Sequence, residues 1–301
     1  MKIIFFEFNS HKNLEPLHSY ANKIGSFPIA GSTFAKKITC KIQKIITFPT
    51  ELEIQIREDF WPSVELLNLV SNKKNVSVKD EQGEILFSLF SEKNCKEEII
   101  PVDTKSLIIM YPWDFLKVNE EVISELKENK IKGTVRQGVN IDGVVEIGEG
   151  TVLLPGVYIE GNATIGKNCK IGPNCYIRGN THIGNGCHIG QAVEIKNSII
   201  LSKVSIGHLS YVGDSIIAEK TNFGAGTTVA NLRHDGKNHR SLVNGKSMDT
   251  SRRKLGVIVG EEVHTGINTT LYPGRKLWPH TSTLPGEIVK TDKNYSKQRD
   301  Y

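Results

Sequence analysis

An aliphatic residue recurs at every sixth position through the middle of the chain. A smaller or β-branched residue stands two positions before most of these residues, and a glycine follows several of them. A fixed repeat of this kind outweighs local propensity when a fold is inferred. Hexads predict one short strand and a tight turn each, so three hexads form one coil of a left-handed parallel β-helix. The series is Ile141, Ile147, Leu153, Ile159, Ile165, Ile171, Ile177, Ile183, Ile189, Ile195 and Leu201.

The repeat changes after residue 201. It loses one residue near Ile206 and another near Ile217, stops at residues 231–254, and resumes from Val259 to Val289. The interrupting segment, NLRHDGKNHRSLVNGKSMDTSRRK, is rich in Asn, Gly and basic residues and shows no period. It is predicted to leave the β-helix as an inserted loop, and a long ordered loop is more often functional than not.

Residues 1–130 contain no hexads and predict a small α/β domain. KIIFFEF and SLIIMY are typical of buried strands, PSVELLNLV and WDFLKVNEEVISELKENK of amphipathic helices, and VSVKDEQGEILFSLF of a hairpin that turns near Gln82–Gly83. The boundary is expected at a linker near residues 131–138, and the β-helix domain is expected to span residues 131–290, with this linker at its start. Residues 291–301 form a tail that is too polar to extend the core. The predicted fold class is therefore an α/β N-terminal domain plus an all-β left-handed parallel β-helix.

The composition restricts the classes of partner. The chain has 301 residues, of which 38% are hydrophobic and 24% charged, with a net charge of +5, which suits anionic ligands such as phosphorylated sugars. A long basic stripe for nucleic acid is absent, as is an apolar run of the roughly 20 residues that cross a membrane. The start, MKIIFFEFN, fits a buried strand better than a signal peptide. The cysteines have no CxxC or zinc spacing, so a reducing cytoplasm is expected.

Two basic residues are placed to bind an anion. Arg178 and Lys196 each follow a ladder isoleucine and lie 18 positions apart, so they are predicted to stack on one face of successive coils. With no carboxylate expected in register, they predict an anion site, and the alternative is a solvated basic face. Metal catalysis is not predicted, because His182 and His188 are six residues apart and fall on different faces of one coil. Cys169, Cys175 and Cys187 occupy the small inward position of their hexads and are predicted to fill the core.

Three segments carry a resemblance to a known family. VEIKNS, GHLSYVGD and NFGAGTTVANLRHDGK closely resemble the acetyltransferase half of the bifunctional sugar-1-phosphate nucleotidylyltransferase/acetyltransferases, and DTSRRKLGVIVG is similar to the archaeal-type branch. The resemblance covers about residues 135–290. It implies a left-handed β-helix, a homotrimer with active sites between subunits, and acetyl-CoA as acyl donor with no metal required. The acceptor implied is an amino-sugar 1-phosphate, with glucosamine 1-phosphate first.

The resemblance also implies roles for individual residues. His208, in GHLSY, matches the family's general base, and an imidazole suits a reaction in which an amine loses a proton near pH 7. The alternative for His208 alone is a hydrogen-bonded surface histidine. The residues that match positions contacting the sugar phosphate are Arg178, Lys196, Tyr211, Asn222, Asn231 and Lys237.

Acetyl-CoA is expected in the groove between neighbouring β-helices, held mainly by backbone groups. Ala225 and Gly226 are candidate oxyanion positions, because backbone N–H groups stabilise a tetrahedral intermediate. Gly266, Ile267 and Pro285 are candidates on later coils. Arg253, with its neighbours in the run Arg252–Lys254, would either meet the phosphates of CoA or form an ordinary solvated run.

The N-terminal half resembles the family's nucleotidylyltransferase domain only as a remnant. NLEPL, FPIAG and YPWDFLKVNEEVI stand where that domain has similar segments, but EFNSHKN follows the first strand where a Gly-rich phosphate loop is expected. The domain is also about half the usual length, so nucleotidyl transfer is predicted to be lost. Two alternatives stay open, a residual nucleotidylyltransferase and a catalytically silent trimeric scaffold.

Overall fold

The structure is a computed structural model that describes residues 1–7, 13–20, 23–47, 52–91 and 96–294. The chain divides into two compact units. One consists mainly of residues 1–110, and the other of residues 111–301 together with the short segments 13–21 and 28–31. The unit that contains the β-helix therefore includes chain that lies before the expected boundary at residue 130.

The first unit is built on a five-stranded mixed sheet. In spatial order its strands are Lys2–Phe6, Glu53–Arg57, Ile85–Phe90, Asn75–Lys79 and Glu98–Pro101. The two middle pairings are antiparallel and the two edge pairings parallel. The predicted hairpin is confirmed, and its turn contains Gly83 at φ +84°, a conformation that favours glycine. The shorter strands are Pro28–Ile29, Ser32–Thr33, Phe60–Trp61 and Leu107–Ile108.

The described residues form three α-helices, two of which begin at a residue whose side chain caps the helix. Helix α1 (Phe34–Ile45) is capped by Thr33, whose side chain accepts from the Lys36 amide, and helix α2 (Val64–Ser71) is capped by Ser63 in the same way. Helix α3 (Asp114–Ser124) ends before the predicted residue 130. Short 3₁₀ turns lie at His18–Tyr20 and Ile24–Ser26. Among the described residues, no helix has the length and hydrophobicity of a membrane span.

The second unit is the left-handed parallel β-helix that the hexads predict. Each strand pairs in parallel with the strand one coil later, so the strands form three sheets. Sheet I contains Lys130–Ile131, Val145–Ile147, Ala163–Ile165, Thr181–Ile183, Ile199–Ile200, Ile216–Ile217, Val257–Val259 and Arg275–Leu277. Sheet II contains Thr134–Val135, Val152–Leu153, Lys170–Ile171, His188–Ile189, Ser205–Ile206, Asn222–Phe223 and His264–Thr265. Sheet III contains Asn140–Asp142, Tyr158–Glu160, Tyr176–Arg178, Glu194–Lys196, Tyr211–Gly213, Thr228–Val229, Thr270–Leu271 and Ile288–Val289.

The interior of the β-helix is a stack of aliphatic ladders. The three repeat cysteines lie among them and are buried, as predicted. The thiol of Cys175 donates to the Gly190 carbonyl at 2.8 Å, and burial raises the pKa of that thiol to about 11. These thiols are packing groups, so a covalent acyl-cysteine route has no structural support.

The strict six-residue spacing ends at Ile195 rather than at Leu201. In sheet I, Ile183 pairs with Ile200 and Ile200 with Ile217, so one residue is missing after Ile195 and another before Ile217. Both deletions fall at the corner that leads from sheet III to sheet I, which we call the III–I corner. Asn197 and Asp214 stand there with φ values of +46° and +51°, which Asn and Asp tolerate better than other non-glycine residues.

The outer face of sheet I is covered by other parts of the same unit. Its outward side chains Thr164, His182, Ile199, Ile216 and Ile258 are all buried. Helix α3 packs along the III–I corner. There the side-chain amide of Asn119 donates to the Asn180 carbonyl at 2.8 Å, and that of Asn162 to the Ile123 carbonyl at 3.0 Å. This packing fixes α3 beside two successive coils.

The inserted segment 231–254 is a β-hairpin rather than an irregular loop. Strands Arg240–Val243 and Lys246–Asp249 pair antiparallel, and a bridge between Leu232 and Lys254 closes the base. The ammonium of Lys276, on sheet I, donates to the Leu242 carbonyl at 2.7 Å. The insertion therefore folds back onto the β-helix.

The start of the predicted polar tail continues the β-helix. Lys293 bridges Leu277 of sheet I, and its amide donates to the Lys276 carbonyl at 2.8 Å. Polar residues can extend the sheet here because the bridge uses main-chain groups. The expectation that the tail begins at 291 without joining the core is thus wrong for residue 293, and residues 295–301 lie outside the described residues.

Candidate functional site

Arg178 and Lys196 stack in register on sheet III, as predicted, but they are not free cations. The Arg178 guanidinium lies 2.7 Å from the Glu194 carboxylate, and the Lys196 ammonium 2.8 Å from the Asp214 carboxylate. The expectation that no carboxylate accompanies the pair is wrong. Glu194 lies on the same strand as Lys196, and Asp214 reaches Lys196 from the next shortened corner. An anion here would bind to a charge-balanced cluster rather than to two bare cations.

Asp214 is the centre of this cluster. It is 2% exposed and accepts hydrogen bonds from the Lys196 ammonium, from Asn197 at 3.0 Å and from Asn231 at 2.6 Å. A buried carboxylate requires such donors to compensate for lost hydration. Asp214 is not among the site residues predicted from the sequence, although its place at a shortened corner within GHLSYVGD is a signal that could have identified it.

Tyr211 and Asn231 complete the cluster. The Asn231 side-chain amide donates to the Tyr211 hydroxyl at 3.0 Å. Burial raises the pKa of Tyr211, and the carboxylates of Asp214 and Glu194 add to that effect. The hydroxyl therefore stays protonated and, while it accepts from Asn231, keeps its own proton for a ligand.

Gly213 makes room for this arrangement. It pairs with Lys196 in the strand register, and a Cβ built on Gly213 would lie 2.7 Å from the Asn231 side-chain nitrogen and closer still to the Tyr211 hydroxyl. The two side chains thus cross the space that any other residue at position 213 would fill.

His208 lies at the corner between sheets II and III, three residues before Tyr211. It is exposed, and its imidazole makes no hydrogen bond or ion pair with the residues that the structure describes. Its carbonyl accepts from the Gly226 amide at 2.9 Å. The same main-chain hydrogen bond recurs on later coils, where the Asn268 amide donates to the Ala225 carbonyl and the Gly286 amide donates to the Ile267 carbonyl. His208, Ala225, Ile267 and Pro285 therefore stack in one column along this corner.

Of the two predicted oxyanion positions, only one has a main-chain amide that is free to donate within the described residues. The Gly226 amide is already bonded to the His208 carbonyl, so the expectation that it faces an oxyanion is wrong. The Ala225 amide has no acceptor within the described part of the chain and could serve that role. Gly266 packs its main chain against the next coil, where a Cβ would lie 2.5 Å from the Pro285 nitrogen.

The remaining predicted residues lie apart from the cluster. Asn222 is exposed on sheet II, in register with Ser205 and His264, and so lies on a different face from Lys196. Lys237 and Arg253 are exposed on the insertion, and neither forms an ion pair with a described residue. His182 and His188 lie on sheets I and II, as predicted. The described residues contain no group of three or more His, Cys, Asp or Glu that could hold a metal ion.

Comparison with known proteins gives one matching family model and several relatives. The family model "GMPPB C-terminal domain" matches residues 159–283. The bifunctional sugar-1-phosphate nucleotidylyltransferase/acetyltransferase of Sulfurisphaera tokodaii is 42% identical over 205 residues, which are 68% of this chain and 51% of that protein. The bifunctional protein GlmU of Methanococcus maripaludis (strain C7) is 55% identical over 169 residues, 56% of this chain and 41% of that one. The chain is a homologue of these bifunctional proteins.

The homology confirms the resemblance that VEIKNS, GHLSYVGD and NFGAGTTVANLRHDGK predict. The chain spans about half the length, or less, of the curated relatives it matches. Among solved structures, the UDP-N-acetylglucosamine O-acyltransferase of Moraxella catarrhalis is 16% identical with a TM-score of 0.33, covering 52% of this chain and 66% of that one. That similarity is too low to bear on function.

Proposed function

We propose that the chain is an acetyl-CoA-dependent N-acetyltransferase that acts on an amino-sugar 1-phosphate, with glucosamine 1-phosphate as the first candidate. The observation that carries this proposal is the position of two groups beside one face of the β-helix. Arg178, Lys196 and Tyr211 lie on sheet III, and His208, whose imidazole has no partner among the described residues, lies at the corner just before the strand Tyr211–Gly213 of that sheet. Relatives named as acetyltransferases support the reaction class.

The proposed reaction uses each group in one role. The sugar amine attacks the thioester carbonyl, and the His208 imidazole accepts the proton as the N–C bond forms. The Ala225 amide stabilises the negative charge that develops on the carbonyl oxygen. The C–S bond then breaks, and the imidazolium returns its proton to the CoA thiolate. Arg178, Lys196 and Tyr211 hold the phosphate and sugar, and Lys237 and Asn231 contact the sugar from the insertion.

The acyl donor is assigned to the column beside His208. Ala225, Ile267 and Pro285 continue this column along later coils, and Gly266, which lets successive coils pack closely, lies beside them. Arg253 is assigned to the phosphates of CoA, because it is an exposed and unpaired cation within the described residues. The transfer itself requires no metal in this proposal.

We further propose a homotrimer in the cytoplasm. Asn222 lies on sheet II and cannot meet Lys196 on sheet III within one chain, so a site that uses both residues needs a neighbouring subunit. The four cysteines at 40, 169, 175 and 187 are free thiols, which agrees with a reducing compartment.

The test is the release of CoA from acetyl-CoA in the presence of glucosamine 1-phosphate, followed by a thiol assay. Wild type should release CoA, and His208→Ala should lower kcat by about 10²- to 10⁴-fold. The control is His188→Ala, which removes another exposed imidazole of the β-helix and should leave kcat unchanged. Galactosamine 1-phosphate is the second acceptor to assay. A folded wild-type protein that is silent with both acceptors would contradict the proposal and favour a scaffold.

A further inference from the structure

One carboxylate from outside the hexad repeat reaches the candidate site. Glu120 lies on α3, and its Oε1 accepts hydrogen bonds from the Asn197 side-chain amide at 2.7 Å and from the Arg252 guanidinium at 2.5 Å. Asn197 stands at the first shortened corner, and Arg252 stands near the end of the insertion. Glu120 therefore joins the helix, a corner of the β-helix and the inserted hairpin through one oxygen atom.

The contacts continue from Glu120 to the site without a gap. The same side-chain nitrogen of Asn197 also donates to Asp214 at 3.0 Å. The Asp214 carboxylate in turn accepts from the Lys196 ammonium at 2.8 Å and from the side-chain amide of Asn231 at 2.6 Å. Asn197 is hydrogen-bonded to Glu120 on one side and to Asp214 on the other, so removing Glu120 takes away one of its two acceptors.

Most of the chain of contacts is shielded from water, although the side chain of Glu120 itself is 31% exposed. The side chain of Asp214 is 3% exposed, and those of Lys196 and Arg252 are each 15% exposed. Charges that are this far from solvent interact more strongly than exposed ion pairs do. Asn231 and Arg252 also mark the two ends of the insertion, so Glu120 restrains the second end directly and the first through Asn197 and Asp214.

We propose that Glu120 is a positioning residue for the sugar-phosphate site. It fixes Asn197 and Arg252, and through Asp214 it sets where the Lys196 ammonium and the Asn231 amide stand. The inference rests on the proposed function for its substrate. Because the column that contains His208 and Ala225 lies at a different corner, the affinity for acetyl-CoA should not depend on Glu120.

The test compares Glu120→Ala, Glu120→Gln and the wild type, each as the full chain. Two quantities are measured, the Kd for glucosamine 1-phosphate by calorimetry and the KM for each substrate in the thiol assay. Glu120→Ala should raise the Kd and the KM for the sugar phosphate about tenfold. The KM for acetyl-CoA should stay within about twofold. Glu120→Gln keeps an acceptor oxygen at the same place and should recover part of the loss.

Two further variants separate positioning from folding. Lys117→Ala changes an exposed residue on the same helix and should behave like the wild type in every measurement. Arg252→Ala should also raise the Kd, and the double variant with Glu120→Ala should lose less than the two single losses combined. If Glu120→Ala does not fold, the Kd values of Glu120→Gln and Arg252→Ala still test whether Glu120 positions the sugar-phosphate site.

The outcomes distinguish this inference from the proposed function. A Glu120→Ala protein that binds the sugar phosphate as wild type does would overturn the positioning role while transfer stands. Wild type that binds the sugar phosphate but transfers no acetyl group would contradict the proposed function, and the Kd series would still establish the role of Glu120. A wild type that neither binds nor transfers would overturn both.

Discussion

At the scale of single residues, the candidate site depends on a carboxylate that opposes its cations. Asp214 pairs with the largely buried Lys196 ammonium and so competes with an anionic ligand for it. Removing Asp214 would leave the ammonium without its counter-ion, which costs more than an exposed pair is worth. Asp214 therefore fixes the position of the Lys196 ammonium, and a bound phosphate would share that ammonium with the Asp214 carboxylate.

The close approach of Asn231 and Tyr211 to Gly213 predicts the effect of replacing this glycine with alanine. Gly213→Ala places a Cβ 2.7 Å from the Asn231 side-chain nitrogen, so Asn231 and Tyr211 must move. We expect the KM for the sugar phosphate to rise at least about tenfold, because small displacements of binding groups cost that much. The thiol assay with varied sugar phosphate and saturating acetyl-CoA measures the change.

The control for Gly213→Ala is the KM for acetyl-CoA, which should be unaffected, together with the thermal midpoint, which should fall by only a few degrees. Substrate constants equal to those of wild type would mean that Tyr211 and Asn231 do not contact the sugar phosphate.

At the scale of elements, a buried histidine holds the base of the inserted hairpin together. His239 is 2% exposed, and its Nε2 lies 3.0 Å from the Asn231 carbonyl. Burial lowers the pKa of His239 below its ordinary value of 6.5; Arg233 and Arg275 act in the same direction, while Asp214 and the contact with the Asn231 carbonyl oppose it. The base of the insertion is therefore built around a neutral imidazole.

This histidine predicts a dependence of stability on pH. As the pH falls below 6.5, the unfolded chain takes up a proton at His239 that the folded chain does not, so the free energy of unfolding decreases. Above that pH the stabilisation is complete. Between about pH 7.5 and 5.5, the thermal midpoint of wild type should fall further than that of His239→Gln. Differential scanning calorimetry at both pH values measures the difference.

The control in this experiment is His234→Gln, which replaces an exposed histidine of the same insertion. It should follow the wild-type pH dependence. If His239→Gln follows it as well, then His239 does not titrate differently in the folded and unfolded chains.

The elements also show how far the sequence determines the structure. The ladder from Ile141 to Ile195 is predictable, because its spacing of six residues is constant and most of the residues beside it are polar or glycine. The register after Ile195 is not, because Ile199, Ile200 and Leu201 are all buried and any of them could continue the ladder. The cause is the covered outer face of sheet I, where apolar residues point outward as well as inward.

The candidate site was predictable only in part, for a related reason. Register alone places Arg178 above Lys196 and Tyr211 on the same sheet. The contacts of Asp214 with Lys196, Asn197 and Asn231 depend on shortened corners, and hexad counting does not reveal where a side chain at such a corner points. Glu120 could not be found from the repeat, because α3 lies outside it.

At the scale of the whole molecule, the excess of positive charge is confined to one segment. Residues 231–254 contain seven basic and two acidic residues, which leaves 31 of each kind elsewhere. The net charge of +5 therefore equals that of the insertion. Since both proposed substrates are anions, the insertion would increase their rate of encounter with the adjacent site.

This distribution predicts a dependence on salt. The kcat/KM for both substrates should fall as potassium chloride is raised toward and above about 0.15 M, where screening acts over about 8 Å. A variant with Lys246→Gln and Lys254→Gln should lose part of that dependence, because it removes two exposed charges from the insertion. Initial rates at low substrate concentration across a salt series measure the slope.

The matched control removes two charges from other coils, through Lys132→Gln and Lys170→Gln, and should keep the wild-type slope. Equal slopes for all three proteins would mean that the encounter does not depend on where the charge lies.

The two shortened corners have a wider meaning for a protein of this kind. A perfect repeat makes every coil equivalent, so no coil is distinguished as a place for chemistry. Asn197 and Asp214 stand at the two corners where the spacing between ladder residues is five instead of six. The polar contacts of the cluster are concentrated around these two corners. Loss or gain of a single residue at such a corner would therefore break the register that brings Lys196, Asp214 and Asn231 together.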